Sequence, residues 1–130
     1  MYYQKSCFVP DHRYVDALHF LMASDHPDHL KFLDILKFHY HSDEMTTTSD
    51  AIANHMNYLR GNLIYGKLGK FFGTFLELKS CLPRWSRNNK PKWFCSVSIG
   101  IPPDKDVGRN HFEYRLDPEL AKALIKLNLV

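Results

Sequence analysis

Lys67 and Lys70 lie three residues apart, with Asn62 and Tyr65 just ahead of them and Gly66 and Gly69 interleaved. Residues three or four apart share one face of a helix, so a helical run here gathers two ammonium groups, an amide and a phenol. Ammonium groups meet phosphates or the O6/N7 edge of guanine, and amides and hydroxyls bond to bases or phosphates. Glycine lets another backbone approach closely, at a mid-helix cost of up to ~1 kcal/mol relative to alanine. A second cationic stretch follows, with Arg84, Arg87, Lys90 and Lys92 set between Trp85 and Trp93. Cations interleaved with aromatics suit a flexible strip that follows a nucleic-acid backbone, with Trp85 able to stack on an unpaired base. The spacing reads Trp93 as a core residue at the start of a strand.

The charge map reinforces this chemistry. From Arg60 to Lys92 there are eight basic residues against Glu77 alone, whereas residues 1–59 carry four basic and eight acidic side chains and residues 93–130 balance five against five. A cationic middle in a chain of net charge +3 is the asymmetry expected when one face meets phosphate. Arg60, Asn62, Tyr65, Lys67, Lys70, Arg84, Trp85, Arg87, Lys90 and Lys92 are therefore the candidate contacts to nucleic acid.

Other chemistries find less support. The eight histidines include His26 and His29 near Asp25 and Asp28, yet no tetrahedral ligand set follows from their spacing. Asn54-His55 and Asn110-His111 are fragments of a histidine-asparagine-histidine nuclease motif, but they fall in an expected helix and at a strand start, without converging ligands. No Gly-rich phosphate loop, nucleophile elbow or His-Glu-x-x-His run occurs. Cys7, Cys81 and Cys95 are odd in number and far apart, which reads as reduced, mostly buried thiols. The expectation is a protein without catalytic residues, metal or cofactor.

Helical periodicity then places these residues. Asp11 is expected to cap a first helix to Met22, and Ser24 or Asp25 a second that holds Pro27 in its first turn and ends near His41. Ser49 or the preceding threonine opens a third helix, with Ala51, Ile52, His55, Met56 and Leu59 on one side. Gly61 reads as the left-handed turn that ends it, and Asn62 as the cap of a fourth helix whose stripe is Leu63, Ile64, Leu68, Phe71, Phe72 and Phe75. Two helices joined by a tight glycine turn are the helix-turn-helix pattern. Strands over 93–101 and 112–116 flank a long Pro- and Gly-containing tip with Lys105 and Arg109, and Asp117-Pro118-Glu119 opens the last helix.

The expected architecture is α+β: a helical N-terminal half, then a winged helix-turn-helix of helix pair, β-hairpin wing and C-terminal helix. Residues 1–130 form one domain, with a helical pair over 11–41 and the winged part over 48–130. With 45% hydrophobic residues and no apolar run long enough to span a bilayer, the composition points to a globular cytoplasmic protein with no membrane partner.

The run Tyr58-Leu59-Arg60-Gly61-Asn62-Leu63-Ile64-Tyr65-Gly66-Lys67-Leu68-Gly69-Lys70, with Leu116-Asp117-Pro118-Glu119-Leu120 and a terminal Leu-Val, resembles the N-terminal DNA-binding domain of bacterial HNH-type restriction endonucleases over residues 49–130. The resemblance implies the DNA-sensing part of a restriction or phage-defence system, reading double-stranded DNA that includes modified bases. It also implies a nuclease supplied by a partner or by a C-terminal domain outside this chain. The competing expectation is a protein-interaction or dimerisation module, whose acidic, Phe- and Leu-rich helices of residues 11–41 suit packing on the winged domain or on a second copy in a homodimer.

Overall fold

A computed structural model describes residues 2–130 as five helices and a three-stranded antiparallel sheet. The order is α1 (Asp11–Met22), α2 (His29–His41), β1 (Thr46–Thr48), α3 (Ser49–Met56), α4 (Gly61–Phe75), β2 (Ser98–Ile101), β3 (Glu113–Leu116) and α5 (Pro118–Lys126). Among the described residues no helix is long and apolar enough to cross a membrane.

The apolar stripes of the helices converge on one core. Tyr14, Ala17, Leu18 and Leu21 of α1 are buried against α5, whose Leu120, Ala121, Ala123 and Leu124 face inward. The Tyr14 hydroxyl donates to the Ser96 carbonyl at 2.6 Å, so this deep phenol keeps its hydrogen bond. Asp11 does not cap α1 with its side chain; its carboxylate meets Lys126 at 2.6 Å and ties α1 to the end of α5. Lys5 pairs with the buried Asp117, which also accepts from the Glu119 amide at 2.8 Å as the N-cap of α5.

β3 is the central strand, with β1 on one side (Thr47 opposite Tyr114) and β2 on the other (Gly100 opposite Tyr114). Tyr3 exchanges two backbone hydrogen bonds of 2.8 Å with Gly100, so the N-terminal segment covers the outer edge of β2. Covering an edge in this way satisfies its free amides and carbonyls and blocks pairing with other chains. The hairpin expected from sequence is thus part of a three-stranded sheet, since β1 has no apolar alternation to announce it. The first strand also starts later than its pattern suggested: Trp93–Ser96 is a 3₁₀ turn against α4, and the extended run begins at Ser98.

Several helix ends differ from expectation for local reasons. The side chain of Ser24 accepts from the His26 amide at 2.9 Å in a turn, and α2 begins only at His29. Thr48 caps α3 by accepting from the Ala51 amide at 3.1 Å. The left-handed residue that ends α3 is Asn57, φ 58°, and not Gly61. Leu59 leaves the helix and stands fully exposed.

Gly61 is instead the buried first residue of α4, pressed on the α3 backbone. A Cβ there would overlap the Ser49 carbonyl oxygen and crowd the Ala53 amide at 2.9 Å. Gly61→Ala is therefore expected to lower stability by about 1–3 kcal/mol through overpacking against backbone that cannot yield. Chemical denaturation measures it, and an unchanged midpoint would show that α3 and α4 part without cost.

Candidate nucleic-acid interface

α4 carries the site because its two sides differ. Ile64, Tyr65, Leu68 and Phe72 are buried, and Gly69 and Gly73 sit where a Cβ would strike the Trp93 backbone or ring. The opposite face shows Asn62, Leu63, Lys67 and Lys70 to solvent, with Gly66 half-exposed among them. Asn62 is the second residue of the helix and not its cap; Arg60 occupies that flanking position, without a side-chain cap bond.

Two of the sequence candidates do not belong to this surface. Tyr65 is buried, with its ring centroid 4.5 Å from that of Tyr114 and its hydroxyl 3.2 Å from Nδ1 of the buried His39. The Tyr114 carbonyl can only accept, so His39 Nε2, 2.9 Å away, carries the ring hydrogen and Nδ1 receives the Tyr65 proton. Burial holds the His39 pKa down at about 4, against a smaller upward pull from the Tyr114 and Met45 carbonyls. Tyr65 thus helps fix α4 to the sheet, and only its edge reaches the groove beside the helix.

Lys92 is the second correction. It is buried, with its ammonium 3.5 Å from the Tyr3 ring centroid and 4.7 Å from that of Trp85. A cation between two aromatic faces is held by their quadrupoles. Lys92 therefore anchors the basic segment and is not free to contact phosphate.

The remaining basic segment is an ordered turn, where a flexible strip was expected. Arg84 pairs with Pro91 across it, the Trp85 amide donates to the Lys90 carbonyl at 2.9 Å, and the Asn89 amide donates back to Trp85 at 2.8 Å. Asn89 takes φ 57° at its corner, a conformation that asparagine tolerates, and Arg84 Nη1 braces it through the Asn89 carbonyl at 2.9 Å. Trp85 is half-buried against Phe94, and the Arg87 guanidinium lies 5.5 Å from its ring centroid.

Turn and helix face each other across a groove of about 690 Å³, bordered by Asn62, Gly66, Lys67 and Lys70 on one side and Trp85 and Arg87 on the other. A second groove of about 460 Å³ shares Asn62, Trp85 and Tyr114 with the first and extends it toward Arg60. Arg60, Lys67, Lys70, Arg84, Arg87 and Lys90 are all exposed, and among the described residues none of them is in a salt bridge. Elsewhere Lys5, Lys31, Arg109, Lys122 and Lys126 each have a carboxylate partner, whereas Arg13, Lys37, Lys79, Lys105 and Arg115 have none among the described residues.

The long tip between β2 and β3 contributes less charge than its composition suggested. Arg109 is turned inward to Glu113 at 3.6 Å and to the Pro102 carbonyl at 2.8 Å, and Asp104 and Asp106 offset Lys105. The three cysteines are free thiols: Cys95 is buried, its pKa pushed up to about 12 by burial, while Cys7 and Cys81 are half-buried.

What sequence reasoning missed is internal to α4. Gly66 differs from the other glycines of that helix in having nothing within 4 Å of the position its Cβ would take. The residue types of the groove floor, Phe94 and Tyr114, were legible, but not that the 84–91 turn would bring Trp85 above them. Compared with protein-family models, curated proteins and solved structures, the chain gives no significant match.

Proposed function

We propose that the chain is a non-catalytic DNA-binding module of the winged helix-turn-helix kind. In this reading α4 enters the major groove, with Asn62, Lys67 and Lys70 toward bases and phosphates, while Arg60, Arg84, Arg87 and Lys90 follow the backbone beside it. The observation that carries it is that, of six exposed cations without carboxylate partners, Arg60, Lys67, Lys70 and Arg87 line the grooves along one open face of α4, while Arg84 and Lys90 belong to the same turn as Arg87. Unpaired like charges repel one another, and a polyanion relieves that repulsion while releasing its condensed counterions.

The order α2, β1, α3, α4, β2, β3, with β3 between the other two strands, supports the winged arrangement. The tight α3–α4 contact at Gly61 supports a helix-turn-helix. A role in restriction or phage defence, with a nuclease partner or C-terminal nuclease domain, follows from the resemblance over residues 49–130.

Fluorescence anisotropy on a short duplex across a salt series tests the proposal. If most of the six cations neutralise a phosphate, log Kd against log salt has a slope of magnitude about 5. No binding at low salt, or a flat slope, rejects it. One observation favours a protein partner instead: Leu59 is fully exposed and Leu63 largely so, both beside Arg60. Light scattering that finds a stable homodimer together with indifference to DNA would favour that second reading.

A further inference from the structure

The groove beside α4 is more aromatic than phosphate contact requires. Trp85 forms one wall, and the exposed Arg87 guanidinium lies over its ring at 5.5 Å. Phe94 and Tyr114 underlie the groove, their rings 5.1 Å apart. The facing wall is α4 at Gly66, where the missing side chain leaves room that nothing in the chain uses. Asn62 stands at the junction with the second groove, its amide free of hydrogen bonds within the chain among the described residues. Lys67 and Lys70 complete the rim, exposed and without carboxylate partners.

We infer that this groove takes an unstacked nucleotide of DNA, so that the protein prefers DNA containing an unpaired base to the fully paired duplex. The inference rests on the DNA-binding reading above. Each part of a nucleotide has its counterpart. The base presents a π-face, which stacks on a guanidinium plane or an aromatic ring. The base edge offers donors and acceptors, which an amide with both can meet. The flanking phosphates take the two lysines. A volume of about 690 Å³ falls within the range of small-ligand sites and is large enough for a base and its sugar.

The test compares three labelled probes by anisotropy at one salt concentration: a paired duplex, the same duplex with a single-nucleotide bulge, and its single strand. The native protein should bind the bulged duplex about tenfold more tightly than the paired one, the effect of one stacked base. Gly66→Met, at a groove-lining position where a Cβ meets nothing within 4 Å, should bring that ratio close to one. Arg87→Ala, at an exposed turn position, should also reduce it. A 2-aminopurine placed in the bulge should be quenched by the native protein and not by Gly66→Met. Equal affinity of the native protein for paired and bulged duplexes overturns the inference while the DNA-binding reading stands. A tenfold preference that persists in Gly66→Met overturns the placement in this groove. Failure to bind any of the three probes removes the DNA-binding reading and the inference with it.

Discussion

Replacing both Lys67 and Lys70 by Glu is expected to weaken binding to a paired duplex by about 100-fold and to reduce the salt slope by about 2. Each neutralised phosphate contributes about 0.9 to the slope, which near 0.1 M salt corresponds to roughly tenfold in affinity per contact. Reversal adds repulsion to the lost attraction, so the figure is a lower bound. The fold should survive, because both side chains are exposed, neither is in a salt bridge, and Lys and Glu differ little in helix propensity. Arg13→Glu with Lys37→Glu is the matching control. It changes net charge by the same amount on α1 and α2, at side chains that are likewise exposed and in no salt bridge among the described residues. Anisotropy should show the α4 variant losing far more affinity than this control. Equal losses would mean that only net charge matters, and no loss would remove Lys67 and Lys70 from the interface.

The features legible in the sequence were those encoded within one segment. The span of α1, the opening of α5 at Asp117-Pro118-Glu119, the Thr48 cap and the cationic bias of residues 60–92 each depend on neighbours a few residues away. The errors fall where a distant residue decides. Lys92 is buried because Tyr3, far away in the chain, supplies half of its aromatic cage. β1 is a strand because β3 pairs with it; its three threonines carry no pattern of their own. Gly61 sits in α4 because the Ser49 carbonyl demands a residue without a Cβ, whereas from sequence alone a glycine between two helices reads as a turn. Tyr65 follows from helix phase: the inward set Gly61, Ile64, Tyr65, Leu68 and Phe72 is offset from the expected stripe, which began at the exposed Leu63. The exposure of Asn62, Lys67, Lys70, Arg84, Arg87 and Lys90 was readable because solvated polar groups need no partner within the chain, whereas the ordered turn over residues 84–91 was not.

Acid is expected to loosen the junction on which α4 rests before the carboxylates titrate fully. His39 is buried between α4 and the sheet as a neutral ring, donating from Nε2 to the Tyr114 carbonyl and accepting at Nδ1 from Tyr65. Its folded pKa is about 4 against an ordinary value of 6.5, because burial penalises the imidazolium. Between those values the unfolded chain binds a proton that the folded chain refuses, so stability rises with pH there and falls as pH drops from about 6.5 toward 4. A shift of this size corresponds to about 3 kcal/mol in all, fully present above the ordinary value and lost by the time pH passes below the folded one. Asp11, whose pKa is lowered by its bond to Lys126, acts with the same sign at lower pH: its stabilisation persists through most of this window and is lost as pH falls through the usual carboxylate range. The measurement is urea denaturation at a series of pH values for the native protein and for His39→Gln, which retains a donor and an acceptor but no titrating ring. The variant should be less stable at neutral pH and nearly flat between pH about 6.5 and 4. Parallel curves for the two proteins would show that His39 does not carry the acid sensitivity, and would undo the account of how Tyr65 and α4 are held to the sheet.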